Sequence, residues 1–124
     1  MITVSNNNII TITRGDTATV YFDITVDYTS YQLTEGDKVY FGVMEPNKQF
    51  ETAIIKKVLT SENIDKDTGK LAVHFKSEDT EFLLPGVYYY ELKLFRPGKL
   101  LSEDPLEQED KVDTLVRKKK FIIF

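Results

Sequence analysis

The sequence contains no cysteine and no tryptophan, and His74 is its one histidine among 124 residues. Without thiols there can be no disulfide framework, thiolate metal site or cysteine nucleophile. Small secreted domains lean on disulfides, so the same absence points to folding in a reducing cytoplasm. A lone histidine leaves a zinc site without enough ligands and a catalytic triad without partners. Long apolar runs are also missing. The longest spans a few residues, far short of the roughly 20 that a membrane helix needs. The opening residues MITVSNNNIITITRG have neither the basic nor the apolar stretch of a signal peptide. Cations are outnumbered, 16 against 20 acidic residues. That argues against phosphate backbones as the main partner, since counterion release needs clustered Lys and Arg.

What is present favours strands. Seven Tyr and eight Phe stand beside many Val, Ile and Thr, and 41% of the chain is hydrophobic, enough for one packed core. Residues 1–124 read as a single domain. Ala18, Val20, Phe22, Ile24 and Val26 alternate with polar partners, predicting one strand over residues 17–26 with a buried face. Residues 38–44 predict another, with Val39, Phe41 and Val43 inward. Residues 52–59 predict an edge strand on which Ile54 and Val58 share a face and Lys56 lies between them. In residues 70–76 Leu71, Val73 and Phe75 face the core, which turns His74 outward. Residues 77–84 predict one helical turn, and 87–95 a strand with Tyr88, Tyr90, Leu92 and Leu94 inward. A long acidic connection over 96–112 precedes the last strand, 114–124. Turn signals recur at Arg14-Gly15-Asp16, Thr34-Glu35-Gly36-Asp37, Glu45-Pro46-Asn47-Lys48 and Asp65-Lys66-Asp67-Thr68-Gly69. The expected fold is all-β: an antiparallel Greek-key, immunoglobulin-like sandwich of seven or eight strands. A closed barrel is the open alternative, since periodicity does not distinguish the two.

Three motifs bear on function. Pro85 and Gly86 followed by Tyr88 read as a tyrosine corner, a hydrogen bond that stabilises a Greek key. The terminal Phe121, Ile122, Ile123 and Phe124 are apolar on both strand faces, and Arg117 and Lys118 open a basic run that follows an acidic one. Together these six are assembly-interface candidates, because a neighbouring subunit could cover the second apolar face and pair the charges. Tyr28 and Tyr31 are surface-binding candidates for a carbohydrate, with Tyr21 and Tyr89 behind them. Asp65, Asp67 and Gly69 read as a β-turn rather than a calcium loop, since the distal ligands are missing. Arg14-Gly15-Asp16 reads as a turn rather than an adhesion signal.

Taken in order, several segments resemble small structural proteins of tailed bacteriophages and prophages, including the N-terminal domain of upper baseplate proteins. They are Arg14-Gly15-Asp16-Thr17 before an alternating strand, Glu35-Gly36-Asp37-Lys38-Val39-Tyr40-Phe41, and Asp79-Thr80 with Leu83 or Leu84 ahead of Gly86-x-Tyr88-x-Tyr90-x-Leu92. The series closes with Val112-Asp113-Thr114-Leu115-Val116 and Phe121-Ile122-Ile123. The resemblance implies a β-sandwich without enzymatic activity, cofactor or metal, assembled in the host cytoplasm into a virion as a baseplate, tail or head-decorating component. Its implied partners are other virion proteins or further copies of itself, not nucleic acid or membrane. The chain departs from such proteins in the acidic insertion near residues 99–111 and in stopping after the last strand, without a receptor-binding extension. A carbohydrate- or cell-surface-binding module is the alternative function.

Overall fold

The computed structural model describes residues 2–4, 8–26, 29–100 and 108–124. Ten strand segments are present among them: β1 (Ile2–Val4), β2 (Ile10–Ile12), β3 (Ala18–Phe22), β4 (Thr25–Val26), β5 (Thr29–Ser30), β6 (Lys38–Met44), β7 (Ile55–Leu59), β8 (Leu71–Phe75), β9 (Gly86–Leu100) and β10 (Gln108–Ile123). One helical turn, α1 (Ser77–Thr80), and two short 3-10 turns complete them. The protein is all-β. Six strands form a curled mixed sheet in the order β1-β2-β10-β9-β6-β7, while β3 pairs with β8 and β4 with β5.

Alternation decides which side chains go inside. Val20 and Phe22 on β3 and Leu71, Val73 and Phe75 on β8 are buried, as are Val39, Phe41 and Val43 on β6 and Tyr90, Leu92 and Leu94 on β9. Aromatic rings join the two sheets. Phe41 on the large sheet lies 6.5 Å from Phe22 and 5.5 Å from Phe75, both on the small one. Phe75 in turn lies 5.6 Å from Phe121. Tilted pairs at such distances contribute about 0.5–1.5 kcal/mol each beyond their burial.

Several expectations need correcting. The strand predicted over residues 17–26 breaks after Phe22, so Ile24 reaches the core from a link between β3 and β4. On β7 the buried residues are Ile55 and Leu59, and Ile54, Lys56 and Val58 share the exposed face. Lys57 is half-buried between them, and its Nζ pairs with Asp79 at 2.6 Å. The position of β7 at the sheet's edge is as expected. The flanks of the acidic connection are not loop, because β9 and β10 stay paired out to Leu100 and Gln108. The final strand segment lies inside the sheet. Phe121, Ile122 and Ile123 pair in parallel with Ile10, Thr11 and Ile12 on one side and with β9 on the other.

Candidate docking surface

Residues 76–88 connect the small sheet to the large one, and their hydrogen bonds hold them in one shape. The Asp79 carboxylate accepts from Lys76 N at 2.7 Å, which caps α1, and also takes the Lys57 ammonium. The buried Thr80 Oγ1 accepts from Gly15 N at 2.9 Å, tying the turn to the loop where Gly15 needs its positive φ of 83°. Leu83 N donates to Thr80 O, and Leu83 packs against the core. The Tyr88 hydroxyl donates to Leu84 O at 2.6 Å, closing the corner around Pro85 and Gly86, both of which are exposed.

This braced segment directs large apolar groups outward. Phe82 is 85% exposed, Leu84 77% and Val87 44%. With Ile54, Pro46 and Pro85 they surround an open concavity of about 470 Å³. Single exposed apolar residues are ordinary, whereas these lie together around one hollow. The sequence does carry a signal for it. Phe82, Leu83 and Leu84 are consecutive in a turn bounded by a cap and Pro85-Gly86, a geometry that can send only one of three side chains into the core.

The predicted assembly residues separate into two groups. Phe121 and Ile123 are 0% and 1% exposed within the chain's own core. This corrects the expectation that they face a neighbouring subunit: β10 is a central strand here, and its inner face is already covered. Ile122 is half-buried, Phe124 is 67% exposed, and Arg117 and Lys118 are exposed.

Of the surface-binding candidates, Tyr28 lies outside the described residues. Tyr31 is held from two sides. Its hydroxyl donates to Asp37 Oδ2 at 2.6 Å, and the Arg96 guanidinium lies 5.4 Å from its ring centre. Asp37 is buried and also accepts from Thr34 N at 3.0 Å and Thr34 Oγ1 at 3.1 Å. Burial pushes the Asp37 carboxyl upward, but the Thr34 amide, the Tyr31 and Thr34 hydroxyls and the Arg96 charge outweigh it and hold it below the usual carboxylate range. Burial and the same carboxylate raise Tyr31. The arrangement braces a loop and leaves Tyr31 little freedom to stack on a sugar. Tyr21 is half exposed on β3 and Tyr89 half-buried on β9, in different sheets.

His74 is exposed, with Nδ1 2.9 Å from Thr19 Oγ1 on the paired strand. Asp65 Oδ1 accepts from Asp67 N at 2.8 Å, a turn that is completed by Gly69 at φ 72°. Among the described residues no group of three His, Cys, Asp or Glu is placed to hold a metal, and no helix is long and apolar enough to cross a membrane. Comparison of the chain with protein-family models, curated proteins and solved structures finds no match.

Proposed function

We propose that the chain is a non-enzymatic structural module built into a tailed-phage virion, with the concavity around Phe82, Leu84 and Val87 as its docking surface for a neighbouring virion subunit. The observation that carries this reading is a loop braced from Gly15, Lys57 and Tyr88 that nevertheless displays Phe82 and Leu84 almost fully to solvent. Covering each of these side chains would contribute about 1.5–3 kcal/mol. A rigid display also lowers the ordering entropy that binding must overcome. The strand order gives further support. β2, β10, β9, β6 and β7 lie in one sheet and β3 with β8 in another, and the chain crosses between sheets after β7 and again after β8. That is compatible with the Greek-key, immunoglobulin-like sandwich that the resemblance implies. The carbohydrate-binding alternative has less support, because Asp37 and Arg96 engage Tyr31.

The test is to purify phage particles from cells carrying the gene and to probe them for the chain. The expected result is incorporation of the wild type and at least about tenfold less of Phe82→Asp/Leu84→Asp, with the variant still folded. Particles that lack the wild-type chain altogether would overturn the reading.

A further inference from the structure

The apolar wall of the hollow continues across the outer face of the large sheet. Val87, which lines the hollow, pairs with Ile122 in the ladder between β9 and β10, and Tyr89 pairs with Lys120. Phe121 and Ile123 point into the core, so alternation turns Lys120, Ile122 and Phe124 to the opposite face, beside Val87 and Tyr89. Val87 and Phe124 are exposed there and Ile122 is half-buried. The apolar surface thus runs from Phe82 and Leu84 through Val87 to Ile122.

Next to Ile122 the same strand turns cationic. Arg117, Lys118, Lys119 and Lys120 are all exposed. A regular strand would divide four such residues between its two faces. Here Val116 pairs with Leu92 and Lys119 with Tyr90, so Arg117 and Lys118 oppose Glu91 alone, and Lys118 takes a positive φ of 34°. Bulges of this kind re-aim side chains. Lys118 Nζ donates to Lys48 O at 3.5 Å, and Lys48 N donates to Glu45 O at 3.1 Å. That turn also supplies Glu45 and Pro46 to the wall of the hollow, so strip and hollow share one support. Lys48 is exposed as well and adds a further cation. Glu91 is buried and paired with Lys93 at 3.8 Å, and among the described residues no carboxylate forms an ion pair with the strip.

The combination selects a polypeptide over a nucleic acid. A phosphate backbone would suit the cations but not the adjoining apolar wall, where Glu45 would repel it. At about 3.3 Å per residue the strip ends about 16 Å from Ile122, a span that about five extended residues cover. We infer that the segment of the partner that docks here is an acidic peptide, with one bulky apolar side chain in the hollow and the carboxylates that follow it lying along residues 117–120. This rests on the assembly reading above and specifies the chemistry of the partner at that surface. Exposed ion pairs contribute little singly, so the strip steers the segment and fixes its direction, while the hollow supplies the apolar burial.

Fluorescence anisotropy tests the inference with a labelled synthetic peptide, one leucine followed by five glutamates, titrated with the purified full chain. Wild type should bind it with a dissociation constant below about 1 mM, weakening at least about tenfold between about 50 and 500 mM NaCl. The triple variant Arg117→Glu/Lys119→Glu/Lys120→Glu leaves Lys118 and its bulge intact and should bind at least about tenfold more weakly. Phe82→Asp/Leu84→Asp should weaken binding too, as should glycine in place of the leucine of the peptide. Circular dichroism checks that both variants are folded. No binding at about 1 mM, or equal binding by the triple variant, overturns the inference. So does a single-stranded DNA hexamer that binds more tightly than the peptide. Sedimentation that shows self-association of the wild type, lost in the triple variant, gives the strip to a second copy and overturns it as well. If the triple variant enters particles normally while Phe82→Asp/Leu84→Asp does not, the acidic peptide is wrong and the assembly reading stands.

Discussion

Tyr88 and Asp37 both secure loops, by different means. Tyr88 uses one neutral hydrogen bond to the Leu84 carbonyl. Tyr88→Phe should therefore cost about 1 kcal/mol in urea unfolding and leave the fold intact. Asp37 gathers three donors onto one buried oxygen. Asp37→Asn should cost about 1–3 kcal/mol at neutral pH. Its carboxyl is depressed in the folded state, so the stability it supplies is complete above the ordinary value of 3.8 and is lost as pH falls through the lower folded-state value. Acid titration of unfolding should show the wild type and Asp37→Asn converging below that range. The Tyr88 bond could be anticipated from Pro85-Gly86 and the inward phase of Tyr90 and Leu92. Burial of Asp37 could not, because a turn aspartate is usually solvated, and here Arg96 arrives from a distant part of the chain.

Among the elements, β8 was legible residue by residue because its apolar positions allow only one phase, whereas on β6 the inward Val39, Phe41 and Val43 were legible and the burial of Gly42 and Met44 on the opposite face was not. The run Ala53-Ile54-Ile55-Lys56-Lys57-Val58-Leu59 allows two phases, and the partner of the half-buried Lys57 is Asp79, twenty-two residues beyond it. The segment before β7 shows a further constraint. Phe50, in the 3-10 turn Phe50–Thr52, lies over Gly42 of β6, where an added Cβ would be 2.8 Å from the ring and 3.1 Å from Ala53. The Lys93 ammonium sits 4.6 Å from the centre of the same ring. Gly42→Ala should displace Phe50 and destabilise by about 1–3 kcal/mol, measured by thermal or urea unfolding. Sequence periodicity did not reach the continuation of β9 and β10, since residues 96–112 read as a connection, whereas Pro97 and Gly98 form a bulge in a continuing ladder.

Across the whole molecule, stability and display use different aromatics. Phe41 has ring neighbours at 5.5 Å (Phe75), 5.6 Å (Tyr90) and 6.5 Å (Phe22), so Phe41→Ala should cost about 3–5 kcal/mol. Phe82→Asp, at a residue 85% exposed, should leave the unfolding midpoint within experimental error. Denaturant titration of the two variants side by side checks both. The β-rich class was legible because alternation is local. At the displayed corner the sequence signals only that Phe82, Leu83 and Leu84 compete for the core, and the packed structure shows that Leu83 is the one that packs against it.

The parallel pairing of Phe121, Ile122 and Ile123 with Ile10, Thr11 and Ile12 has a consequence during synthesis. The slot between β2 and β9 stays vacant on the ribosome until residue 123 clears the exit tunnel. Until then β1 and β2 have no strand to join them to the rest of their sheet. Closure is therefore a late, long-range event, and a nascent chain stalled before it exposes two unsatisfied strand edges to whatever is nearby.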